Sequence, residues 1–115
     1  MMIFNLEKLS GIEDNHFTRL SLDDKGFIDF RVIPTNNAIV WDCYTDPKYR
    51  KQGVFKALLF ELRERYPFAT FFSAVSNKSI IPYLEDIGYE RITNPIPHWG
   101  RPNNCINMKQ HGKQN

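Results

Sequence analysis

Basic residues gather around one glycine in this chain. Lys48, Arg50, Lys51 and Lys56 surround Gly53, between a short apolar run from Ile39 to Thr45 and a stretch of helical periodicity that starts at the glycine. A helix start frees backbone N–H groups, and a glycine lets an anion approach them closely, so this order of strand, loop and helix suits a phosphate-bearing ligand. A solvated basic turn capping an ordinary helix is the plainer alternative. Other residues with chemical potential lie nearby in sequence. Asp42 sits on the apolar run and Asp46 at its end, each either a proton acceptor or a turn residue. Tyr83 offers a hydroxyl or serves as a core aromatic. His98 stands in a proline-rich stretch, and its imidazole titrates near neutrality; on an exposed loop it is either a base or plain surface. The two cysteines, Cys43 and Cys105, lack metal-ligand spacing, so no metal is expected and Cys43 reads as a buried, inert thiol.

The elements that would position these residues follow from periodicity. From Gly53 onward, Phe55, Leu58, Leu59, Leu62 and Tyr66 share one stripe of an amphipathic helix, and Pro67 ends it. Phe55 can then pack its ring beneath the helix and offer only its backbone N–H to a ligand. The run Phe68–Val75 is of strand length and nearly continuous in apolar residues, as expected where helices cover both faces of a sheet. A second helix is expected with Ser79 as N-cap, Pro82 in its first turn and Gly88 as its stop. Upstream, strands are expected at Met2–Leu6, Phe17–Leu22, Phe27–Ile33 and Ala38–Thr45, with turn chemistry at Asp23–Gly26 and Pro34–Asn37. Downstream, Tyr89–Ile92 and Cys105–Lys109 are the last strands, separated by the loop Asn94–Asn104 with Pro95, Pro97 and Pro102.

Composition bounds the rest. With 115 residues, 42% of them hydrophobic, the chain is expected to form one domain over residues 1–115, with a short front end at 1–15 and a frayed tail at 110–115. Fifteen basic residues against thirteen acidic ones leave a net charge of +2, which gives no argument for nucleic acid. Only the acid-free stretch after Glu90, with Arg101, Lys109 and Lys113, points that way. Neither a signal peptide nor an apolar run of about 20 residues is visible, so no membrane is expected, and the sparse cysteines fit a reducing, cytoplasmic setting.

The commoner nucleotide loops, Gly-x-x-x-x-Gly-Lys-Ser/Thr and Gly-x-Gly-x-x-Gly, are absent. The segment Arg50-Lys51-Gln52-Gly53-Val54-Phe55, preceded by Pro47-Lys48-Tyr49, resembles motif A of the GNAT superfamily of acyl-CoA N-acyltransferases. Phe55 departs from the second glycine of that motif. The segment Asn77 to Tyr89 resembles the family's motif B, with Leu84 where many members carry a tyrosine that protonates the CoA sulfur. The resemblance spans roughly residues 16–109 and is similar to a short, divergent member; internal virion proteins of some bacteriophages share the leucine.

The resemblance implies an α+β fold, a GNAT-like mixed and mostly antiparallel central sheet with helices on both faces. It implies acetyl-CoA as acyl donor and direct attack by an amine acceptor that the sequence does not identify. Cofactor binding would fall to Arg50, Lys51, Gln52, Gly53, Val54, Phe55 and Lys56, with Asn77 holding the pantetheine arm unless it is only a cap. The thioester oxygen would meet backbone N–H groups near Tyr44 and Thr45. Acyl transfer further needs a base and often an acid for the leaving thiolate, and Asp42, His98 and Tyr83 are the catalytic candidates. The His98 loop would lie over the acceptor. The front end is shorter than the family's, so the acceptor side would be built by that loop, by a partner subunit such as a second copy, or not at all. A catalytically silent GNAT-like structural or binding protein is the alternative.

Overall fold

Left-handed turn residues organise the first half of the chain. The computed structural model describes residues 2–9, 17–34, 36–97 and 104–113. Strands β1 (Phe4–Lys8), β2 (Thr18–Leu22), β3 (Gly26–Ile33) and β4 (Asn37–Thr45) form a continuous antiparallel run. Asp23 adopts a φ of 49° in the β2–β3 turn and Asn36 a φ of 64° in the β3–β4 turn. Asp and Asn tolerate that region best among residues with a side chain. Asn36 also ties this turn to later chain, since its side-chain amide donates to the Phe68 carbonyl at 3.0 Å and its own carbonyl accepts from Thr70 at 3.0 Å.

The second half is built by two crossovers. Helix α1 (Val54–Arg65) carries the chain from β4 to β5 (Thr70–Val75), which lies parallel to β4. A 3-10 turn (Lys78–Ile80) and helix α2 (Ile81–Asp86) then lead to β6 (Glu90–Arg91) and β7 (Ile106–Gln110). The sheet order is β1-β2-β3-β4-β5-β7-β6, and only the β4–β5 pair is parallel. This is the mixed, mostly antiparallel α+β architecture expected.

Alternation along the strands decides which face is covered by what. Ile28, Phe30, Ala38, Val40 and Phe71 pack with Leu58 and Leu62 of α1 and with Ile81 and Leu84 of α2 in the main core. On the opposite face Ile33 and Ile39 pack with Ile96, flanked by Phe72 and Ala74. Among the described residues both helices therefore share one face, and an irregular segment covers the other, where helical cover on both had been expected. Strand β5 is buried on two sides either way, so its apolar run does not distinguish a helix from a loop as the cover.

Three local expectations shift. The N-cap of the second helical segment is Asn77, whose Oδ1 accepts from Ser79 N at 3.1 Å and Ser79 Oγ at 2.6 Å, and not Ser79 itself. Strand β1 runs Phe4–Lys8, two residues later than the apolar run Met2–Leu6, because its register is set by Leu6 opposite Leu20. The tail is pinned through Lys113, where a frayed end from residue 110 had been expected. Lys113 N donates to the Pro67 carbonyl at 2.7 Å, and Gly112 lies so close to Phe68 that a Cβ there would stand 2.4 Å from its carbonyl carbon.

Arg63 explains that docking. Its guanidinium lies 3.8 Å from the Phe71 ring centroid and donates to the Ala69 carbonyl at 2.6 Å and to Gln110 Oε1 at 2.7 Å. Gln110 in turn donates to the Ile87 carbonyl at 2.6 Å. One side chain thus joins the end of α1, the start of β5, β7 and the end of α2. Among the described residues no helix is long and apolar enough to cross a membrane.

Gly26 sets the closeness of β3 to β4, since a Cβ there would lie 2.5 Å from the Tyr44 carbonyl oxygen and 3.0 Å from Val54 Cγ1. Overpacking against backbone costs about 1–3 kcal/mol. Gly26→Ala is expected to lose stability on that scale in denaturant unfolding with an unchanged m-value; a midpoint equal to the parent's would show that β4 can yield.

Candidate active site

The site begins with a break in the central pairing. In β4 the register with β3 slips between Asp29–Asp42 and Phe30–Val40, which leaves Trp41 as one extra residue, a β-bulge. A bulge bends its strand and increases its twist. The parallel ladder to β5 ends there, pairing only Asn37–Val40 with Thr70–Ser73. Beyond it Trp41–Thr45 and Ala74–Val75 diverge, and a cleft of about 770 Å³ opens between them.

Main-chain polarity in the divergent part of β4 follows from one hydrogen bond. Asp46 N donates to the Lys25 carbonyl at 2.7 Å, and antiparallel pairs alternate, so the amides of Asp42 and Tyr44 also turn toward β3. Those of Cys43 and Thr45 turn the other way, into the opening. Of the two amides expected to polarise a thioester, that of Thr45 therefore faces the opening and that of Tyr44 does not; the Cys43 amide faces it instead. The freed groups are held locally. Cys43 N donates to Asp42 Oδ1 at 2.9 Å, and the Thr45 carbonyl accepts from Arg50 Nε at 3.3 Å.

At the end of β4 the chain enters the basic loop. Asp46 accepts from Lys48 N at 2.9 Å and starts a single 3-10 turn, Pro47–Tyr49. Lys51 and Gly53 follow with φ of 65° and 81°, and Gly53 is the N-cap of α1 without a side-chain cap. The first intrahelical bond is Ala57 N to the Gly53 carbonyl at 2.9 Å, which leaves the amides of Val54, Phe55 and Lys56 facing outward. Alternating left- and right-handed residues before a helix make a concave set of N–H donors, a place for an anion. Arg50, Lys51 and Lys56 line the same cleft. Gln52 does not: its side chain donates to the Lys48 carbonyl at 3.1 Å and braces the loop from behind.

Side chains divide between the two faces of the slot. Cys43 stands across from core residue Ile28, so its thiol is on the helix side, while Asp42 and Tyr44 stand across from Asp29 and Phe27 on the open side. There Tyr44 and Phe27 have ring centroids 5.6 Å apart, and Asp29, buried, holds Arg19 bidentately at 2.8 and 2.9 Å. On the helix side, Phe55 packs against the main core, as expected, and also meets Tyr83 with ring centroids 6.3 Å apart. Burial pushes the Tyr83 hydroxyl above its ordinary pKa, so it stays protonated near neutrality. Leu84 is buried in the main core, and Asn77 lines the cleft while its oxygen serves the cap. His98 lies outside the described residues.

Two residues gain a place that their sequence context did not suggest. Tyr89, read only as the start of a strand, is buried and lines the cleft. Cys43 is open to solvent through the mouth of the cleft, yet protein atoms surround its thiol. That desolvation, with Asp42 adding to it, pushes its pKa to about 11. Among the described residues no group of three or more His, Cys, Asp or Glu could hold a metal ion.

The fold as a whole has counterparts among solved structures. The ribosomal-protein-S18-alanine N-acetyltransferase of Escherichia coli superposes with a TM-score of 0.70 over 98% of this chain and 96% of its own, at 18% identity. The chain has the GNAT fold. Escherichia coli ElaA is similar at a TM-score of 0.70 and 8% identity, over 96% of this chain and 100% of its own. A candidate streptothricin acetyltransferase from Bacillus anthracis, solved in complex with acetyl coenzyme A, gives 0.59 at 18% identity over 93% and 70%. No protein-family model and no curated protein matches the sequence. At these identities the likeness is one of fold.

The raised pKa makes Cys43 a neutral thiol at pH 7 and a thiolate only toward pH 11. The modification rate that disappears in Cys43→Ser is therefore expected to climb about tenfold per pH unit from pH 7 to 10, following the thiolate fraction. A plateau reached by pH 9 would contradict the desolvation described.

Proposed function

We propose that this chain is an acyl-CoA-dependent N-acyltransferase that moves an acetyl group from acetyl-CoA to an amine by direct attack. One observation carries the reading: the slot between the parted strands joins main-chain amides at Cys43 and Thr45, which turn away from β3, to the concave donors at Lys51–Lys56. A CoA-like molecule has that polarity, with phosphates at one end and a thioester at the other. The amides of Val54, Phe55 and Lys56, with Arg50, Lys51 and Lys56 side chains, would take the pyrophosphate. Gln52 supports the loop from outside it, and Asn77 offers its side-chain N–H groups to the arm between. A Cys43 or Thr45 amide would bond the thioester oxygen, which gains negative charge as the amine attacks.

The amine then arrives on the open face, where Asp42 stands beside the exposed rings of Trp41 and Tyr44. Asp42 would release the Cys43 amide as the ligand's oxygen and the approaching ammonium together replace that bond, and its carboxylate would then take a proton from the ammonium. His98 remains a second candidate base from the acceptor loop, and Tyr83 a hydroxyl donor near the arm. The setting proposed is cytoplasmic. A silent GNAT-like binding protein is the second reading, favoured by Leu84, which the core holds where many GNAT members place a tyrosine.

Calorimetry separates the readings from an inert basic turn. Acetyl-CoA is expected to bind the parent, and Arg50→Glu at an exposed site and Gly53→Asp, which meets open space but strains a left-handed φ of 81° and so is first checked for folding, are each expected to weaken it at least tenfold. Equal binding by the folded variants would remove the CoA site. With a panel of amines, the enzyme reading expects turnover that Asp42→Asn lowers about 100-fold. CoA binding without transfer to any amine would favour the silent reading.

A further inference from the structure

Tyr89 carries a hydroxyl that no described residue bonds. The residue is 5% exposed in the main core, placed there by Gly88, whose φ of 101° reverses the chain at the end of α2 so that Tyr89 N reaches the Leu84 carbonyl at 2.9 Å. Buried tyrosine hydroxyls nearly always find a partner, because an unpaired one costs free energy that a phenylalanine would avoid. This one has no hydrogen-bond partner among the described residues, and Tyr89 is one of the residues that line the cleft. Within its electrostatic reach lie Cys43, Tyr83 and Arg63. Cys43 marks the part of β4 beyond the last β4–β5 pair, so Tyr89 stands on the helix side of the slot, next to the strand whose amides would face the carbonyl. Tyr83 instead packs on Phe55, at the phosphate end.

We propose that the Tyr89 hydroxyl is the hydrogen-bond donor that meets the thioester sulfur and stabilises the departing CoA thiolate, a role that rests on the acyltransferase reading above. The acceptor nitrogen forms its bond to the carbonyl carbon, the C–S bond breaks, and the electron pair goes to sulfur. Tyr89 donates to that sulfur without surrendering its proton. Burial drives its pKa far above the usual phenol range, Cys43 and Tyr83 adding to the rise and Arg63 opposing it, whereas a thiol ionises near about 8.5. Full transfer from this phenol to the thiolate would run uphill. The acceptor's ammonium loses two protons on the way to the neutral amide, one to Asp42 before attack and one after it; one of them reaches the CoA thiolate through solvent and the other stays in solvent.

The test compares CoA with desulfo-CoA by calorimetry at pH 9, where a free thiol is mostly ionised. The parent is expected to prefer CoA by about tenfold, as a charge-assisted hydrogen bond implies, and Tyr89→Phe to bind both alike. Tyr83→Phe should keep the preference. A preference retained in Tyr89→Phe, or lost in Tyr83→Phe alone, overturns the proposal. Tyr89→Phe is expected to fold with an unchanged Tm, since it removes no hydrogen bond among the described residues. A second measurement needs no variant: the thiol of CoA bound to the parent should ionise at lower pH than that of free CoA, and an unshifted thiol overturns the proposal. In turnover, Tyr89→Phe should lower kcat about 100-fold, leave KM for acetyl-CoA unchanged and keep the shape of the pH profile; an unchanged kcat overturns it too. A parent that binds neither CoA nor desulfo-CoA fails earlier and overturns the acyltransferase reading itself, a result distinct from all of these.

Discussion

Two neighbouring strands that begin paired and then part constrain everything else in this fold. Inside a sheet, a ladder that stops leaves main-chain donors and acceptors without partners, and each buried group left so costs about 1–3 kcal/mol. The chain limits that cost with short-range substitutes: Asp42 for the Cys43 amide, Arg50 for the Thr45 carbonyl. Both substitutes come from flexible, solvent-facing side chains. They can be exchanged for a ligand's atoms without unfolding anything, which is the property a binding slot requires.

Holding the slot open is a separate task, met from both sides. β4 stays bent because β3 runs along its whole length, bulge included, with Gly26 allowing the Tyr44 carbonyl to approach. β5 is drawn away by β7, which pairs with it from Phe71 to Val75, past the point where β4 has left. Arg63 fastens β5, β7 and the two helices behind it. A slot framed in this way pays little reorganisation when it is filled, which is why preorganised donors are worth more to catalysis than equally numerous mobile ones.

The two faces of the slot differ in chemistry. Away from the basic loop, the helix side is partly desolvated, and burial raises the pKa of Cys43, Tyr83 and Tyr89 further above neutrality. The open side carries the charges, Asp42 next to the Arg19–Asp29 pair, with water close by. A neutral lining suits a thioester, and a charged, wet face suits an amine that must lose a proton before it attacks. The sheet itself is the partition between them, one strand thick.

Much of this was legible in the residues alone. Leu58, Leu59 and Leu62 at helical spacing, Gly53 before them and Gly88 after the second helix settle where the helices start and stop, because those signals are local: a stripe that must be buried, and φ values that glycine adopts freely. The basic loop was legible for the same reason, since Gly53 and the residues beside it act within one turn. The bulge at Trp41 was not, because an extra residue in a strand is defined only against the partner it fails to match. With it went the choice of amides: one slipped position turns Tyr44 toward β3 and Cys43 toward the opening. Tyr89 was hidden for a kindred reason, as nothing in the sequence after Gly88 says which buried hydroxyl will lack a partner. Sequence determined the elements, through short-range periodicity and turn chemistry; only the tertiary pairing of β4 with β3 and its parting from β5 decided which groups face the cleft.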